Sequence, residues 1–365
     1  MNDLLYQIAL TKIPLVGAVT AKNLISYSGG AEAVFRASKK ALLKIPGIGE
    51  QTAQFILNQN VLAEAEKELE FIEQHEIRAL SYLDKDYPQR LKHYHDAPLV
   101  LFFKGTTCLN APRTVAIVGT RKPSNYGVAI TEELVAELAP WRPVIVSGLA
   151  YGIDITAHRA ALRAGLETVG VMGHGFKMIY PAQHKPTAME MIRQGGLLTE
   201  FTHNVSPDRE NFPMRNRIVA GLCDALIVVE TAKRGGSMIT ARIAESYNKT
   251  IFAVPGRAND RLSQGCNDLI KSGKAHLIDC AGDLVRMLNW EVDESELSKT
   301  QPELFIPLSE PEKAILDFLQ KEVEVGIDRL TLTTKVDHAS MASLLLEMEF
   351  KGLIRAIPGK RYVLA

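Results

Sequence analysis

The stretch TVAIVGTRKPSNYGVAITEELVAELA, residues 114–139, decides the fold because it passes from an apolar run into an amphipathic helix. Its first six residues are almost continuously apolar, which is typical of a strand buried on both faces. GVAITEELVAELA then places apolar residues at helical spacing. A strand that leads into a helix is half of a βαβ unit, and strands joined in this way lie parallel. The stretch therefore predicts a parallel sheet that is covered by helices.

The same pattern recurs along the chain. Further apolar runs indicate buried strands at PVIVSG (143–148), ETVGVMG (167–173), ALIVVE (225–230) and TIFAVPG (250–256). Helical stretches such as DITAHRAALRAG separate them, and shorter runs at Ala79–Leu83 and Leu99–Phe103 are expected to extend the sheet at one edge. Residues 77–290 therefore predict an α/β domain with an extended Rossmann-like parallel sheet.

Residues 1–76 contain an internal repeat, which indicates an N-terminal helical domain. IPLVGAVTAKNLI (13–25) and IPGIGEQTAQFIL (45–57) align at Ile, Pro, Gly, Thr and Ala. Each copy has a glycine-containing turn before a helical pattern, as in paired helix-hairpin-helix (SAM-like) units. The N–H groups of such a turn and of the following helix N-terminus can hold a DNA phosphate. The second copy keeps Gly47 and Gly49 and is the candidate for an accessory DNA contact, whereas the first is interpreted as scaffold.

Three further segments complete the domain organisation. VLAEAEKELEFIEQHE (61–76) is acidic and is interpreted as a solvated helical spacer. EVDESELSKTQPEL (291–304) lacks apolar periodicity and is interpreted as a linker. Residues 305–365 follow the order helix, helix, helix and hairpin, with Ser309 as the first N-cap and a hairpin turn at residues 358–359. This order resembles a winged helix, for which contact with DNA and contact with another protein both stay open.

Composition excludes several classes of protein. The 365 residues carry 42 basic and 42 acidic side chains, so any DNA site must come from local patches. The apolar runs are far shorter than the roughly 18 residues of a membrane span. The start of the chain has Asp3 and no basic segment, which does not resemble a signal peptide. The protein is therefore expected to be cytoplasmic. Its four scattered cysteines predict neither a disulfide framework nor a zinc site.

Glycines mark the ends of several predicted strands, among them Gly119, Gly148 and Gly173. Ligands collect at the carboxyl ends of parallel strands, and glycine lets the backbone approach a phosphate. Arg121 stands where the dinucleotide fingerprint GxGxxG needs a glycine, which does not favour an NAD site. An arginine here suits a phosphodiester, because guanidinium groups match phosphate geometry, and a structural salt bridge is the alternative. His174, which follows Gly173, is a further candidate for ligand contact.

The segment NVSPDRENFPMRNRIVAGLCDALIVVE (204–230) concentrates cations around an aromatic ring. Arg209, Arg215 and Arg217 lie on either side of Phe212. Arginines bind backbone phosphates, and a ring can stack on a base, which is worth about 1–3 kcal/mol per base. In the alternative interpretation Phe212 anchors the core and Arg217 is a salt-bridge partner. The spacing alone leaves both interpretations open.

Six segments carry a family resemblance. They are IVGTRKPSNYG, IVSGLAYGIDITAHRAAL, GHGFKMIYP, NFPMRNRIVAGL, GGSMITARIAE and FAVPGRANDRLSQGCNDLI. They occur in the order seen in the DNA-processing protein A (DprA/Smf) family, and they cover essentially all of residues 80–285. The chain therefore resembles this family, and the predicted terminal domains are similar to those of its longer members.

The resemblance implies a non-catalytic protein without a cofactor or a bound metal. It implies binding and protection of single-stranded DNA, a homodimer, and loading of the RecA recombinase onto the strand during DNA recombination and the natural transformation of competent cells. A single-strand-binding protein is a further implied partner. The implied DNA-binding residues are Gly119, Arg121, Ser147, Gly148, Gly173, His174, Arg209, Phe212, Arg215, Asn216, Arg217, Gly236 and Ser237. Gly235-Gly236-Ser237 departs slightly from the Ser-Gly pair that the family usually has here, which puts the local contact in question.

One enzymatic alternative uses the same architecture. Nucleotide phosphoribohydrolases of the lysine-decarboxylase-like class carry a PGGxGTxxE motif with a glutamate close behind the glycines. In GGSMITARIAE no threonine directly follows the glycines, and Glu245 comes too late. A Ser-His-Asp hydrolase at Ser147, Asp154 and His158 is disfavoured, because no GxSxG elbow carries the serine. The expectation is a binding protein, and the phosphoribohydrolase is the alternative.

Overall fold

The structure is a computed structural model that describes residues 2–290, 309–319, 325–334, 338–351, 353–357 and 361–364. Contacts within the chain form two compact units, Met1–Glu294 and Ser295–Ala365. The predicted linker at 291–304 and the predicted hairpin turn at 358–359 lie outside the described residues.

A mixed sheet forms the centre of the first unit. Its strands are β1 (Arg78–Ser81), β2 (Val100–Gly105), β3 (Thr114–Gly119), β4 (Val144–Gly148), β5 (Thr168–Val171), β6 (Gly195–Thr199), β7 (Ala225–Val229), β8 (Thr250–Ala253) and β9 (His276–Leu277). Among the described residues their order is β1-β2-β6-β5-β4-β3-β7-β8-β9. The pairs from β6 to β9 are parallel, whereas β1 and β2 are antiparallel additions at one edge. The predicted α/β core with an extended edge is confirmed.

The strand order reverses beside β3. From β3 the chain proceeds outward to β4, β5 and β6, and it then returns to place β7 on the other side of β3. Gly119, the last residue of β3, is in register with Val229, the last residue of β7. In open α/β sheets, ligands bind outside the carboxyl ends of strands at such a switch point. The ends of β3 and β7 are therefore the expected place for a ligand.

Strand β6, GGLLT, is not predicted by the sequence patterns, because two glycines at its start lower its strand propensity. The fold requires both glycines. A β-carbon at Gly195 would come 2.0 Å from the carbonyl oxygen of Thr168, and one at Gly196 would come 2.4 Å from the ring of Phe103. Glycine in a strand often marks such a close approach of neighbouring chain.

Helices cover both faces of the sheet and form the N-terminal region. They are α1 (Asn2–Thr11), α2 (Ala18–Ser28), α3 (Ala31–Arg36), α4 (Lys39–Leu42), α5 (Glu50–Leu57), α6 (Leu62–Gln74), α7 (Gln89–Lys92), α8 (Asn125–Glu137), α9 (Ile153–Arg163), α10 (Lys185–Arg193), α11 (Asn211–Leu222), α12 (Gly236–Ser246), α13 (Gln264–Lys271) and α14 (Ala281–Met287). Val115 and Ile117 pack in one core with α8, α9 and α14. Ala116 and Val118 pack in another core with α11 and α12. Alternate residues of β3 thus face opposite layers, as the pleat of a strand requires.

Both copies of the N-terminal repeat fold as a hairpin followed by a helix. The helices α2 and α5 begin after Gly17 and Gly49. Gly47 has a φ of 83°, and Leu15 takes the corresponding position of the first copy with a φ of 66°. Such left-handed backbone is strained for a residue with a side chain, so the first copy keeps the turn although it has lost the glycine. The predicted helix-hairpin-helix domain is confirmed.

Helix α6 corrects the interpretation of residues 61–76 as a solvated spacer. It packs against α1, and only 1% of the surface of Glu68 is exposed. The Glu68 carboxylate accepts a hydrogen bond from the backbone N–H of His203 at 2.9 Å and lies 2.6 Å from Nδ1 of that ring. Phe71 stacks on the same imidazole at 4.2 Å. Glu68 is therefore buried because its partner lies on a loop more than a hundred residues away in the sequence. Local residue spacing cannot reveal such a partner.

The N-terminal helices share a core with the edge of the sheet. Leu99, Val100 and Phe102 pack in one cluster with apolar residues of α1, α2, α3 and α5. The boundary between residues 76 and 77 that the sequence suggests crosses this cluster, and it stays a prediction.

The second unit contains three helices and three strands among its described residues. They are α15 (Glu310–Leu319), α16 (Ile327–Thr334), α17 (His338–Phe350), β10 (Val325–Gly326), β11 (Ile354–Ile357) and β12 (Arg361–Leu364), and the strands follow the order β10-β12-β11. At the start of α15 the N–H and Oγ of Ser309 each donate to the Glu312 carboxylate at 2.7 Å. The bond from the N–H is the one that a glutamate accepts in a capping box. The hydrogen bond from Lys351, with those from Ser309, lowers the pKa of Glu312 to about 2. The predicted winged helix is confirmed.

Across the described part of the chain, no helix combines the length and the apolar character needed to cross a membrane. All four cysteines are free. Cys223 and Cys266 are buried, as expected for small apolar residues, whereas Cys108 is exposed.

Candidate functional site

A cavity of about 550 Å³ opens at the switch point of the sheet. It is bounded by the ends of β3 and β4, by the residues that follow β7 and by the N-terminal parts of α11 and α12. Nine of the thirteen residues predicted for the crevice line it: Gly119, Arg121, Gly148, Arg209, Phe212, Arg215, Asn216, Gly236 and Ser237. The fold thus brings together glycines and arginines that lie more than a hundred residues apart in sequence.

A smaller hollow of about 50 Å³ adjoins the cavity and shares Arg121, Phe212 and Arg215 with it. Gly173 and His174 line this hollow. His174 is only 1% exposed. Its Nδ1 lies 2.9 Å from the carbonyl oxygen of Gly175, and its Nε2 accepts from the N–H of Tyr180 at 3.3 Å. Burial lowers the pKa of His174, so the ring holds the loop together as a neutral group.

Two of the thirteen residues, Ser147 and Arg217, line neither the cavity nor the hollow, and neither do the two accessory candidates Gly47 and Gly49. Ser147 is fully buried and donates its hydroxyl to the carbonyl oxygen of Ile117. Arg217 pairs with Glu200 and also donates to a backbone carbonyl, which is the salt-bridge arrangement that its alternative interpretation describes. Gly47 and Gly49 lie in the hairpin before α5, and neither lines the cavity.

Arg121 and Arg209 are exposed cations. Among the described residues neither forms an ion pair. The guanidinium of Arg121 lies 5.2 Å from the ring centre of Phe212, within the range of a cation–π contact. Phe212 is half-buried, and a β-carbon at Gly173 would come 3.1 Å from its Cδ1. Gly173 therefore gives the ring space to lie beside the strand end, close to a positive charge.

Glu230 fixes the loop that carries Arg121, and the sequence patterns did not single it out. Its carboxylate accepts hydrogen bonds from the N–H of Ser124 at 2.8 Å and from the Ser124 hydroxyl. Its carbonyl oxygen accepts from the N–H of Thr120 at 2.8 Å. Ser124 in turn caps α8 by accepting from the N–H of Gly127. The sequence did contain a signal for this role, because Glu230 is a carboxylate directly after the buried strand ALIVV, at the sheet edge where ligands collect.

Arg215 is a buried support of the cavity, with 4% of its surface exposed. It donates to the carbonyl oxygen of Val171 at 2.6 Å. A β-carbon at Gly148 would come 1.9 Å from Arg215 Nη1 and 2.3 Å from Asp154 Oδ2, so both side chains press on this glycine. Burial raises the pKa of Asp154, and the facing Arg215 opposes that rise. Arg215 and Asp154 therefore shape the end of β4. The positive charges that are exposed in the cavity belong to Arg121 and Arg209.

The N-terminus of α12 points at the cavity without a side-chain cap. Gly235 is the N-cap, and a β-carbon at Gly236 would meet nothing within 4 Å. The Ser237 hydroxyl oxygen is buried and has no hydrogen-bond partner within the described structure. Free N–H groups at a helix N-terminus, with the positive end of the helix dipole, bind anions. A phosphate that occupied this position would also give the Ser237 hydroxyl a partner.

A family model described as DNA recombination-mediator protein A matches residues 78–289, which is more than half of the chain. The chain belongs to this family. The match covers every strand of the large sheet of this DprA/Smf protein. Models described as a SAM-like helix-hairpin-helix tandem and as a DprA winged helix domain match residues 8–59 and 299–360. The family resemblance carried by the six sequence segments is confirmed.

Relatives match this DprA/Smf protein over most of their length. Protein Smf from Synechocystis is 30% identical over 392 residues, which is 98% of each chain. The DNA processing protein DprA from Bacillus subtilis is 39% identical over 227 residues, which is 62% of this chain and 75% of that protein. An X-ray structure of DprA from Streptococcus pneumoniae matches with a TM-score of 0.67 and 31% identity, over 78% of this chain and 97% of that one.

A structure of DprA from Helicobacter pylori, described for its single-stranded DNA binding mode, matches with a TM-score of 0.53 and 33% identity. It covers 58% of this chain and 95% of that one.

Proposed function

We propose that this protein binds single-stranded DNA in the crevice at the carboxyl ends of β3 and β7. The observation that carries the proposal is that two exposed arginines, which form no ion pair with any described residue, and a half-buried ring surround an uncapped helix N-terminus. Arg121, Arg209 and the first turn of α12 supply positive charge for phosphates. Phe212 supplies a face for a base. A crevice that combines cations with a stacking ring suits a strand whose bases are unpaired.

The remaining lining residues shape the path of the backbone. Gly236 leaves open space in which a strand can approach the protein main chain closely, and Asn216 offers an amide in the same cavity. Gly119 and Gly148 instead make room for neighbouring protein atoms that shape the strand ends. The segment Gly235-Gly236-Ser237 departs from the family's Ser-Gly pair. The Ser237 hydroxyl, which has no hydrogen-bond partner among the described residues, still offers a donor at this position. Arg215 and Arg217 act as supports, and Ser147 and His174 hold the strand-end loops.

The comparison with H. pylori DprA supports this assignment, because that protein is described for single-stranded DNA binding and shares the fold at 33% identity. We further propose the family's wider role for this chain. The protein protects the strand, forms a homodimer and loads RecA onto the strand in natural transformation and recombination, with single-strand-binding protein as a further partner. It works in the cytoplasm, without catalysis and without a cofactor or metal. The hairpin at Gly47 and Gly49 and the winged helix are accessory to the crevice.

The enzymatic alternative receives no support from the geometry. Glu245, the nearest equivalent of the phosphoribohydrolase glutamate, lies in the last turn of α12, whereas the cavity meets the first turn. It pairs with Lys274 at 2.9 Å and does not line the cavity.

A gel-shift comparison tests the proposal, with a nucleotide-hydrolysis assay on the same preparation. The full chain is expected to retard a single-stranded oligonucleotide at concentrations that leave a duplex of the same sequence unbound. It is expected to release no base from nucleoside monophosphates. Equal retardation of duplex and single strand, or turnover of a nucleotide, would contradict the proposed function.

A further inference from the structure

The smaller hollow beside the cavity has an aromatic wall that the proposed function does not use. Tyr151 and Tyr180 line this hollow together with Arg121 and Phe212. Because Arg121 and Phe212 also line the main cavity, the two spaces lie on either side of the same two side chains. A strand with one base on Phe212 therefore lies next to the hollow that the two tyrosines line.

Both tyrosines expose a large part of their surface, 39% for Tyr151 and 47% for Tyr180. Exposed rings beside a cationic groove are the means by which proteins bind successive bases of a single strand without reading their identity. The hollow of about 50 Å³ is too small to enclose a base. A base would therefore lie over the rings, where every base presents a similar face.

The Tyr151 ring is held in place by its neighbours. Its hydroxyl oxygen accepts a hydrogen bond from Gln183 Nε2 at 2.6 Å. The ring meets His184 edge-on, with 5.0 Å between the ring centres. His184 is itself buried, and its Nδ1 lies 3.0 Å from the carbonyl oxygen of Leu149. The backbone of Tyr180 is tied to His174 in the same loop cluster. A platform that is ordered before binding loses little conformational entropy when the base arrives.

We propose that Tyr151 and Tyr180 form a second base-stacking station next to Phe212. Neighbouring nucleotides of one strand then lie on Phe212 and on this station, and the exposed Arg121 contacts the phosphate between them. The inference rests on the proposed binding of single-stranded DNA. It adds that the strand leaves the main cavity on the side of the smaller hollow.

Fluorescence anisotropy with the full chain tests the station. The probes are labelled oligothymidines of about 4 and about 12 nucleotides, within the range of site sizes known for single-strand binders. Tyr151→Ala and Tyr180→Ala are each expected to weaken binding of the longer strand about tenfold, or ~1.4 kcal/mol. The shorter strand should lose less, because the main cavity alone can hold it. Tyr151→Phe keeps the ring but loses the hydrogen bond from Gln183, and it should retain most of the affinity that Tyr151→Ala loses. Tyr126→Ala is the matched control, since Tyr126 is 50% exposed but lines neither space.

The outcomes separate this inference from the function on which it rests. If both alanine variants bind the longer strand within twofold of the parent, while Phe212→Ala is weakened, the second station is absent and the proposed function stands. If the parent binds neither strand, the proposed function fails as well. Photocrosslinking of a strand with one 5-iodouracil, followed by peptide mapping, gives an independent result. A label next to the one that crosslinks at Phe212 should mark a peptide that contains Tyr151 or Tyr180, and a crosslink elsewhere would overturn the station.

Discussion

The guanidinium of Arg121 lies 5.2 Å from the ring centre of Phe212, although the two residues are 91 positions apart in the sequence. The contact places the exposed cation of the β3 loop beside the ring that α11 presents. A base that stacks on this ring is then next to a charge that can hold its phosphate. Arg121 and Phe212 should therefore act together, and removal of both should cost less affinity than the sum of the single losses.

The salt dependence of binding separates the cations from the ring. Arg121→Gln and Arg209→Gln should each weaken binding to all sequences and lower the slope of log affinity against log salt by about 0.7, because each removes one contact to a single-strand phosphate. A salt titration by anisotropy measures both slopes. Arg163→Gln is the control, since Arg163 pairs with Glu132 outside the cavity. Unchanged affinity and slope in both cavity variants, with the fold intact, would place the phosphate contacts elsewhere.

Phe212→Ala should lower the affinity by about 1–3 kcal/mol with little change in the salt slope, because stacking releases few counterions. Met214→Ala is the matched control on the same helix, as Met214 is 46% exposed and lines neither the cavity nor the hollow. Circular dichroism on the variant decides between the two roles of the ring. An unfolded Phe212→Ala would mean that the ring is a core anchor.

Arg215→Met should destabilise the first unit by about 1–3 kcal/mol, because it leaves the buried carbonyl oxygen of Val171 without its donor. It also removes the cation that faces the buried Asp154 carboxyl group. The free energy of unfolding in urea measures the loss. Arg163→Gln, which breaks an exposed pair, should cost less than about 1 kcal/mol. A loss for Arg215→Met as small as that of the control would show that the buried guanidinium does not support the fold.

Acid should destabilise the first unit through His158. This ring is fully buried, contacts the carbonyl oxygen of Gly148 and the hydroxyl of Thr168, and faces the Arg215 cation and His184. Burial lowers its pKa from 6.5 to about 4. Between these values the unfolded chain binds a proton that the folded chain does not, so stability falls from about pH 6.5 to about pH 4, by on the order of 3 kcal/mol.

Thermal unfolding between pH 7.5 and pH 4 measures this loss. His158→Gln should be less stable at neutral pH but should lose less on acidification than the parent. Some dependence should persist, because burial also lowers the pKa values of His174 and His184. An identical pH profile for parent and variant would contradict the role of His158.

Truncation at the two ends should have different results. A chain of residues 1–290 should keep single-strand affinity to within about 3 kcal/mol, roughly a hundredfold, because the crevice lies wholly within this part. A chain of residues 77–290 should be markedly less stable, since Leu99, Val100 and Phe102 would lose the helices that cover them. Calorimetry and anisotropy on the two chains check both statements. A larger loss of affinity in the 1–290 chain would move the primary site to the winged helix.

The local patterns predicted the larger part of the fold. The runs TVAIVG, PVIVSG, ETVGVMG, ALIVVE and TIFAVPG all contain strands of the sheet. The internal repeat predicted the N-terminal helix-hairpin-helix fold, and the order of the C-terminal elements predicted the winged helix. They could not predict β6, because the need for Gly195 and Gly196 arises from Thr168 and Phe103 on neighbouring strands. The acidic pattern of α6 gave the wrong interpretation for the same reason, since the partner of Glu68 lies on a distant loop.

The sequence by itself determined which residue types stand at the strand ends and around Phe212, because hydrophobic periodicity sets the faces of strands and helices locally. Only the tertiary structure decided that β7 lies beside β3, which brings Arg121, Phe212 and the start of α12 to one crevice. It also decided that Arg215 turns inward and that Arg217 pairs with Glu200, while Arg121 and Arg209 stay exposed. The physical reason is that the burial and the partner of a charged side chain depend on the packing of chain segments far apart in sequence, which local spacing does not encode.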